Sequence, residues 1–198
     1  MRENPESLFY VSGTIHCPGV KMERIGQSAG NSETRILRGH TLSIPREVQV
    51  DLDPNWVVGF VDGEGCFHVS LQKHPEMTAG YQVLPEFVVV QHERDVQILH
   101  GLKRFFESGV VRTNHGERKA FRVRNLNGLK TVCDFFMKHP LKTKKQIDFR
   151  KFRKILLLME RKRHLTKEGL LEIIEIAQAM NSTKRSKLDE IRKSLQEG

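Results

Sequence analysis

Cysteine is scarce in this chain. The three present, Cys17, Cys66 and Cys133, are far apart and form no C-x-x-C pair. That spacing argues against a disulfide framework and against a zinc site, and a reducing compartment is the simplest setting. No run of about 18 apolar residues occurs, so nothing reads as membrane-spanning. The N-terminus has no apolar stretch of the secretory kind, and Glu3, Glu6 and Glu23 stand against an organelle transit peptide. A Walker loop is absent, and no internal repeat is evident. The histidines at 92, 100, 115, 139 and 164 are scattered without metal-ligand spacing. These absences remove secreted disulfide scaffolds, zinc modules, P-loop enzymes and solenoids from the candidates.

What is abundant is positive charge. The formal net charge is +9, with 29% charged and 38% hydrophobic residues over 198 positions. Such a chain can bury a core and still present a basic surface to a polyanion, where each neutralised phosphate releases condensed counterions.

Residues 1–52 are rich in Gly, Ser, Asn and Pro and hold no sustained period; they read as an irregular extension with a short strand at Leu8–Val11. From residue 53 to 198 a single domain is expected. Asp53-Pro54 is a helix start, an N-cap followed by proline at the first turn. The helix spans 55–64 and is closed by Gly63 and Gly65. The period then switches to two. Phe67, Val69 and Leu71 alternate with His68, Ser70 and Gln72 in one strand, and 81–91 forms a second. Residues 95–106 read as an amphipathic helix. Shorter strands at 109–114 and 119–124 flank a His115-Gly116 turn. Helices are expected at 127–137, 142–161, 166–180 and 182–195. The order α-β-β-α-β-β-α predicts an α+β fold, four strands in one antiparallel sheet with helices on one face.

The first helix carries the chemistry. Asp62 and Glu64 crowd a helix C-terminus, where the macrodipole already places negative partial charge. A local rule broken in this way marks a candidate functional site. A divalent cation would relieve the conflict, since a carboxylate beside a backbone carbonyl is a hard-oxygen site suited to Mg²⁺. Gly59 and Gly63 lie four apart on one face, at a helix-propensity cost of roughly 1 kcal/mol each. Close approach of a second helix would compensate that cost. Two copies packed through this face would bring two Glu64 carboxylates together, the start of a symmetric metal site for phosphodiester hydrolysis.

The segment Val57-Val-Gly-Phe-Val-Asp-Gly-Glu-Gly65, followed by Cys66-Phe67, resembles the motif of the LAGLIDADG homing endonucleases. The strand end Phe87-Val-Val-Val-Gln91 and the segment Pro140-Leu-Lys-Thr-Lys-Lys145 extend the likeness over about 54–180. The resemblance implies the LAGLIDADG homing-endonuclease fold with a saddle-shaped sheet laid in the DNA major groove. It implies a single-motif, intron-encoded enzyme working as a homodimer through Trp56, Gly59, Phe60 and Gly63. It also implies Mg²⁺-dependent double-strand cleavage with 3′ overhangs at a long pseudo-palindromic site, in whichever compartment holds the intron. Mn²⁺ or Ca²⁺ could occupy the same metal site.

By the same resemblance, Glu64 is the metal ligand, with the Gly63 carbonyl beside it, and Asp62 pairs locally. Gln91 orients the attacking water. Lys144 stabilises the scissile phosphate, although Lys142 and Lys145 stand close enough to compete for that role. Arg94 is a further basic residue beside the site.

The sheet face points the same way on its own. His68, Ser70, Gln72 and His74 share the outward parity of the first strand, and Glu86 and Val88 that of the second. Arg112, Asn114, Arg122 and Arg124 point outward from the last two. Arginine suits guanine, asparagine and glutamine suit adenine, and an apolar side chain suits a thymine methyl, whereas Glu86 would need a cytosine amine or solvent. Lys73, Arg118, Lys119, Lys142 and Lys145 are placed to touch phosphates, which position rather than specify. An intron-RNA maturase or a non-catalytic DNA-binding regulator on the same scaffold is the alternative, with host intron RNA as a further partner.

Overall fold

The computed structural model describes residues 50–180 and 186–197. The extension expected at 1–52, its strand at Leu8–Val11 and the start of the last helix therefore fall largely outside the described residues.

Among the described residues, six α-helices and four strands follow the expected order. They are α1 (Pro54–Glu64), β1 (Gly65–Lys73), β2 (Tyr81–His92), α2 (Val96–Phe105), β3 (Val110–Thr113), β4 (Arg118–Val123), α3 (Leu126–Lys138), α4 (Lys145–Glu160), α5 (Lys167–Gln178) and α6 (Ser186–Glu197). All strand pairs are antiparallel and the sheet order is β1-β2-β4-β3, so β2 pairs with β4 rather than with its sequence neighbour β3.

Alternation decides which face is covered. Phe67, Val69 and Leu71 of β1, Val83, Phe87 and Val89 of β2, and Phe121 and Val123 of β4 are buried. They meet Phe106, Phe136, Phe149 and Phe152 from the helical side, with Phe67 stacked on Phe87 at 5.2 Å between ring centres. The other face carries no helix among α1 to α4.

Caps set the helix ends. Asp53 Oδ1 accepts from the Asn55 and Trp56 N–H groups at 2.8 and 3.1 Å, and Asn125 and Thr166 cap α3 and α5 in the same way. Gly65 closes α1 because a Cβ there would stand 2.6 Å from Val61 Cγ1 and 2.9 Å from the Val61 carbonyl. The helix expected from residue 142 begins at Lys145 instead. The N–H groups of Lys142 and Thr143 donate to the Asp62 carboxylate, at 2.6 and 3.3 Å, which holds them outside the helix.

Cys133 faces the core from α3, and burial pushes its thiol up from the ordinary 9.0 to about 12, against a smaller opposing effect of Arg153. A water-soluble disulfide reagent at pH 8 is therefore expected to leave Cys133 unmodified in the native protein and to label it in denaturant. Thiol-by-thiol mass mapping checks this. The folded thiol titrates above the unfolded one, so its contribution to stability is complete below pH 9 and is lost as pH rises toward about 12.

Candidate active site and nucleic-acid interface

α1 divides into two faces. Val57, Val58 and Val61 are buried, whereas Trp56 is 42% exposed and stacks on Phe60 at 4.7 Å. A Cβ built on Gly59 or Gly63 would meet nothing within 4 Å. Trp56, Gly59, Phe60 and Gly63 thus make a bare strip of helix, floored with glycine and edged with aromatic rings.

The strip ends at Glu64. Its carboxylate is exposed, and no side chain among the described residues bonds to it. Its neighbour Asp62 is fully committed. Asp62 accepts from the Lys142 N–H, the Thr143 N–H and the Thr143 hydroxyl, the last at 2.7 Å. The two carboxylates that looked alike in sequence therefore do different work. Asp62 fastens the lysine segment to the end of α1, and Glu64 stays available.

Among the three lysines of that segment, Lys145 reaches the site. Its Nζ donates to the Val61 carbonyl at 2.9 Å and to the Gly63 carbonyl at 3.2 Å. The ammonium supplies the positive charge that the C-terminus of α1 was expected to need. Burial lowers the Lys145 pKa below the ordinary lysine value, opposed by Cys66, Asp62, Glu64 and Asp148. Lys144, the expected partner of the scissile phosphate, is exposed at the N-terminal edge of α4, and its side chain makes no hydrogen bond or ion pair to the end of α1. The reason is helix phase. Once α4 starts at 145, the first side chain turned toward α1 belongs to Lys145. Lys142 is exposed and contributes its backbone.

Gln91 lies at the same end of the sheet. The β1–β2 ladder stops at Gly65↔Val89, and Gln91 continues β2 past it beside the α1–β1 junction. Its parity is that of Phe87 and Val89, so it faces the helical side. Lys119 pairs with Gln91 in the register and turns to the same side, where its Nζ bonds the Thr113 hydroxyl at 3.1 Å and lies 3.4 Å from Glu93. Lys119 was expected among the phosphate contacts of an open hairpin; its parity instead turns it toward Glu93. Arg94 bonds Asp95 on an exposed 3-10 turn and does not join the cluster.

The sheet face opposite α1 to α4 holds most of the expected readers, with Ser186, Lys187 and Leu188 of α6 lining a cavity beside His68 and Ser70. His68 and Ser70 are half-buried and Gln72 exposed on β1, Val88 is half-buried on β2, and Arg112 and Arg118 are exposed. Lys73 is exposed at the end of β1. His74 is half-buried at the hairpin, with its Nδ1 covered. Glu86 was expected to face a base or solvent. It is buried instead, bound by Arg122 and Arg124. Sequence reasoning had no signal for this, because the pairing depends on β4 lying beside β2.

As a metal site, one chain offers a free carboxylate and a carbonyl. The Gly63 oxygen accepts from Lys145 with one lone pair and keeps a second. These are hard-oxygen donors of the right kind for Mg²⁺, but they are too few for a complete site. Among the described residues no cluster of three or more His, Cys, Asp or Glu side chains could hold a metal. Nor is any helix among them long and apolar enough to cross a membrane.

A bare glycine-floored helix ending in a free glutamate, under a four-stranded sheet with one polar face, defines a LAGLIDADG-type protein. The LAGLIDADG endonuclease family profile matches residues 57–156, and the chain belongs to that family. The crystal structure of the homing endonuclease I-TnaI is 55% identical to it, over 74% of this chain and 99% of that one, with a TM-score of 0.72. The I-SmaMI LAGLIDADG homing endonuclease bound to cleaved DNA is 31% identical over 73% of this chain and 49% of that one, with a TM-score of 0.70. A probable intron-encoded endonuclease of Neurospora crassa is 31% identical over 68% of this chain and 30% of its own length. The chain spans about a quarter to a third of the length of the first curated relatives it matches.

Proposed function

We propose that this chain is a site-specific DNA endonuclease that assembles as a two-fold homodimer and makes double-strand breaks with 3′ overhangs at a long pseudo-palindromic site. The observation that carries the reading is the uncommitted Glu64 carboxylate at the end of the bare α1 strip. Packing that strip on a second copy brings two Glu64 side chains and two Gly63 carbonyls together, which completes the donor set that one chain only begins. Relatives named as homing or intron-encoded endonucleases support the same reading.

In this reading Glu64 and the Gly63 carbonyl hold Mg²⁺, with Mn²⁺ or Ca²⁺ able to bind in its place. The cation, when bound, supplies Lewis acidity at the phosphodiester. Gln91 orients the attacking water from the end of β2. Lys145 spends two of its three N–H groups on α1 and offers the third to the charge that builds on the phosphate. The uncovered sheet face reads bases in the major groove, and Lys142, Lys144 and Arg118 touch phosphates.

The test is cleavage selection from a randomised pseudo-palindromic DNA library, with and without Mg²⁺. Enrichment of one long site only with metal supports the reading, and binding without cutting under any divalent metal defeats it. The two lysines separate in the same assay. Lys145→Met is expected to lower single-turnover cleavage by ~10²-fold or more. Lys144→Met should act on binding, making the salt dependence of the affinity shallower by about one unit. The reverse pattern would return the role to Lys144.

A further inference from the structure

Glu86 is the one polar residue among the described residues that is buried, at 8% exposure, yet its strand parity points to the uncovered sheet face. Its partners are unequal. Arg122 gives Nη1 to both carboxylate oxygens, at 2.9 and 3.1 Å, and gives Nη2 to Asn114 Oδ1 at 2.7 Å. Both terminal nitrogens are engaged and the side chain is only 27% exposed. Arg124 gives Nε alone, at 2.8 Å, and is 70% exposed.

That difference decides what each arginine can do. Guanine offers O6 and N7 side by side in the major groove and is best met by a two-pronged donor. Arg124 keeps both terminal nitrogens for such a contact, and its fifth N–H is anchored to a carboxylate fixed in the sheet. Arg122 has its fork turned into the protein. The register explains the anchor: Phe87 pairs with Val123, so one step further sets Glu86 against Arg124. A lone exposed arginine on a strand would sweep across phosphates and bases alike. Holding it by Nε aims the fork and lowers the ordering needed on contact.

We propose that Glu86 is a positioning residue that aims Arg124 at a guanine in each half-site and withdraws Arg122 from base reading. The proposal rests on the DNA-reading function above and adds which side chain reads and what directs it. Two arginines against one carboxylate leave a local charge of +1, so Glu86 also limits the pull of this patch on phosphates of any sequence.

The test is position-resolved binding selection without divalent metal, on wild type, Glu86→Gln, Arg124→Gln and the double variant, each repeated over a salt series. Wild type should demand a G·C pair at one position per half-site. Glu86→Gln should weaken that demand by roughly 5- to 150-fold at that position alone, the range of one bidentate base contact. Its affinity for scrambled DNA should hold or rise, with a salt slope steeper by about 0.9. Arg124→Gln should erase the same position, and the double variant should add nothing to it. An unchanged profile in Glu86→Gln, or a uniform loss across the site, overturns the positioning role. So does an Arg124→Gln variant that keeps every preference, and this arm stands even where the Glu86 variant folds poorly. A wild type that binds DNA with no positional preference sinks the base-reading function itself, and the proposal with it.

Discussion

Replacing Glu64 with glutamine is expected to lower the single-turnover cleavage rate by at least ~10³-fold, while the Kd for target DNA moves by no more than about two-fold. The argument is geometric. The Glu64 carboxylate is exposed and bonded to no side chain among the described residues, so its removal breaks no contact of the fold. It lies at the end of α1, away from the polar sheet face proposed to read bases. Stability should change little. The sequence alone suggested a gain, because a second acid at a helix C-terminus opposes the dipole. Lys145 already places an ammonium on the Val61 and Gly63 carbonyls, so that opposition is largely offset. Quench-flow cleavage with Mg²⁺, metal-free binding and a melting curve on one preparation check all three quantities. A variant that still cuts at the wild-type rate would remove Glu64 from the chemistry.

The second large effect lies on the α1 strip. Gly59→Leu should raise the stability of the isolated fold and abolish cleavage. A Cβ at Gly59 meets nothing within 4 Å in one chain, so the larger side chain clashes with nothing there. Leaving glycine in an exposed helix interior should gain about 0.5–1 kcal/mol. In a dimer, the same side chain would enter the contact between two helices, once from each copy. Overpacking costs about 1–3 kcal/mol per site, so over the two sites the dimer dissociation constant should rise by roughly 30-fold or more. Analytical ultracentrifugation would show a monomer whose melting temperature at low concentration is above that of wild type. A Gly59→Leu protein that remains dimeric and active would place the assembly surface elsewhere.

The architecture was legible where hydrophobic periods are strong. Period two in β1 and the Asp53-Pro54 start of α1 fixed those elements to within a residue or so. The start of α4 was set three residues early. Its N-terminal boundary is decided by Asp62, a residue 80 positions earlier, and no local pattern reports that. The sheet order was equally hidden. With β2 beside β4, Glu86 meets Arg122 and Arg124; a simple meander would have put β3 there.

The site divides in the same way. Glu64 and Gly59 could be singled out because each violates a local preference of the helix that carries it. Lys144 and Lys145 could not be separated, because adjacent identical side chains differ only in the phase of the helix they begin. The inward turn of Lys119 likewise follows from its register with Gln91. Its place beside the His115-Gly116 turn had suggested an open loop instead.

The bonds from Asp62 to Lys142 and Thr143 bear on when the protein becomes competent. They span 80 and 81 positions, so the loop they close is among the longest-range links in the fold. Closing so long a loop is entropically costly and slow compared with forming α1 or the β1–β2 hairpin. A chain still emerging from the ribosome can thus fold its motif helix and first strands while Lys145 has yet to arrive beside Glu64. Under the role proposed for Lys145, cleavage is expected only from chains in which the lysine segment has docked on the end of α1.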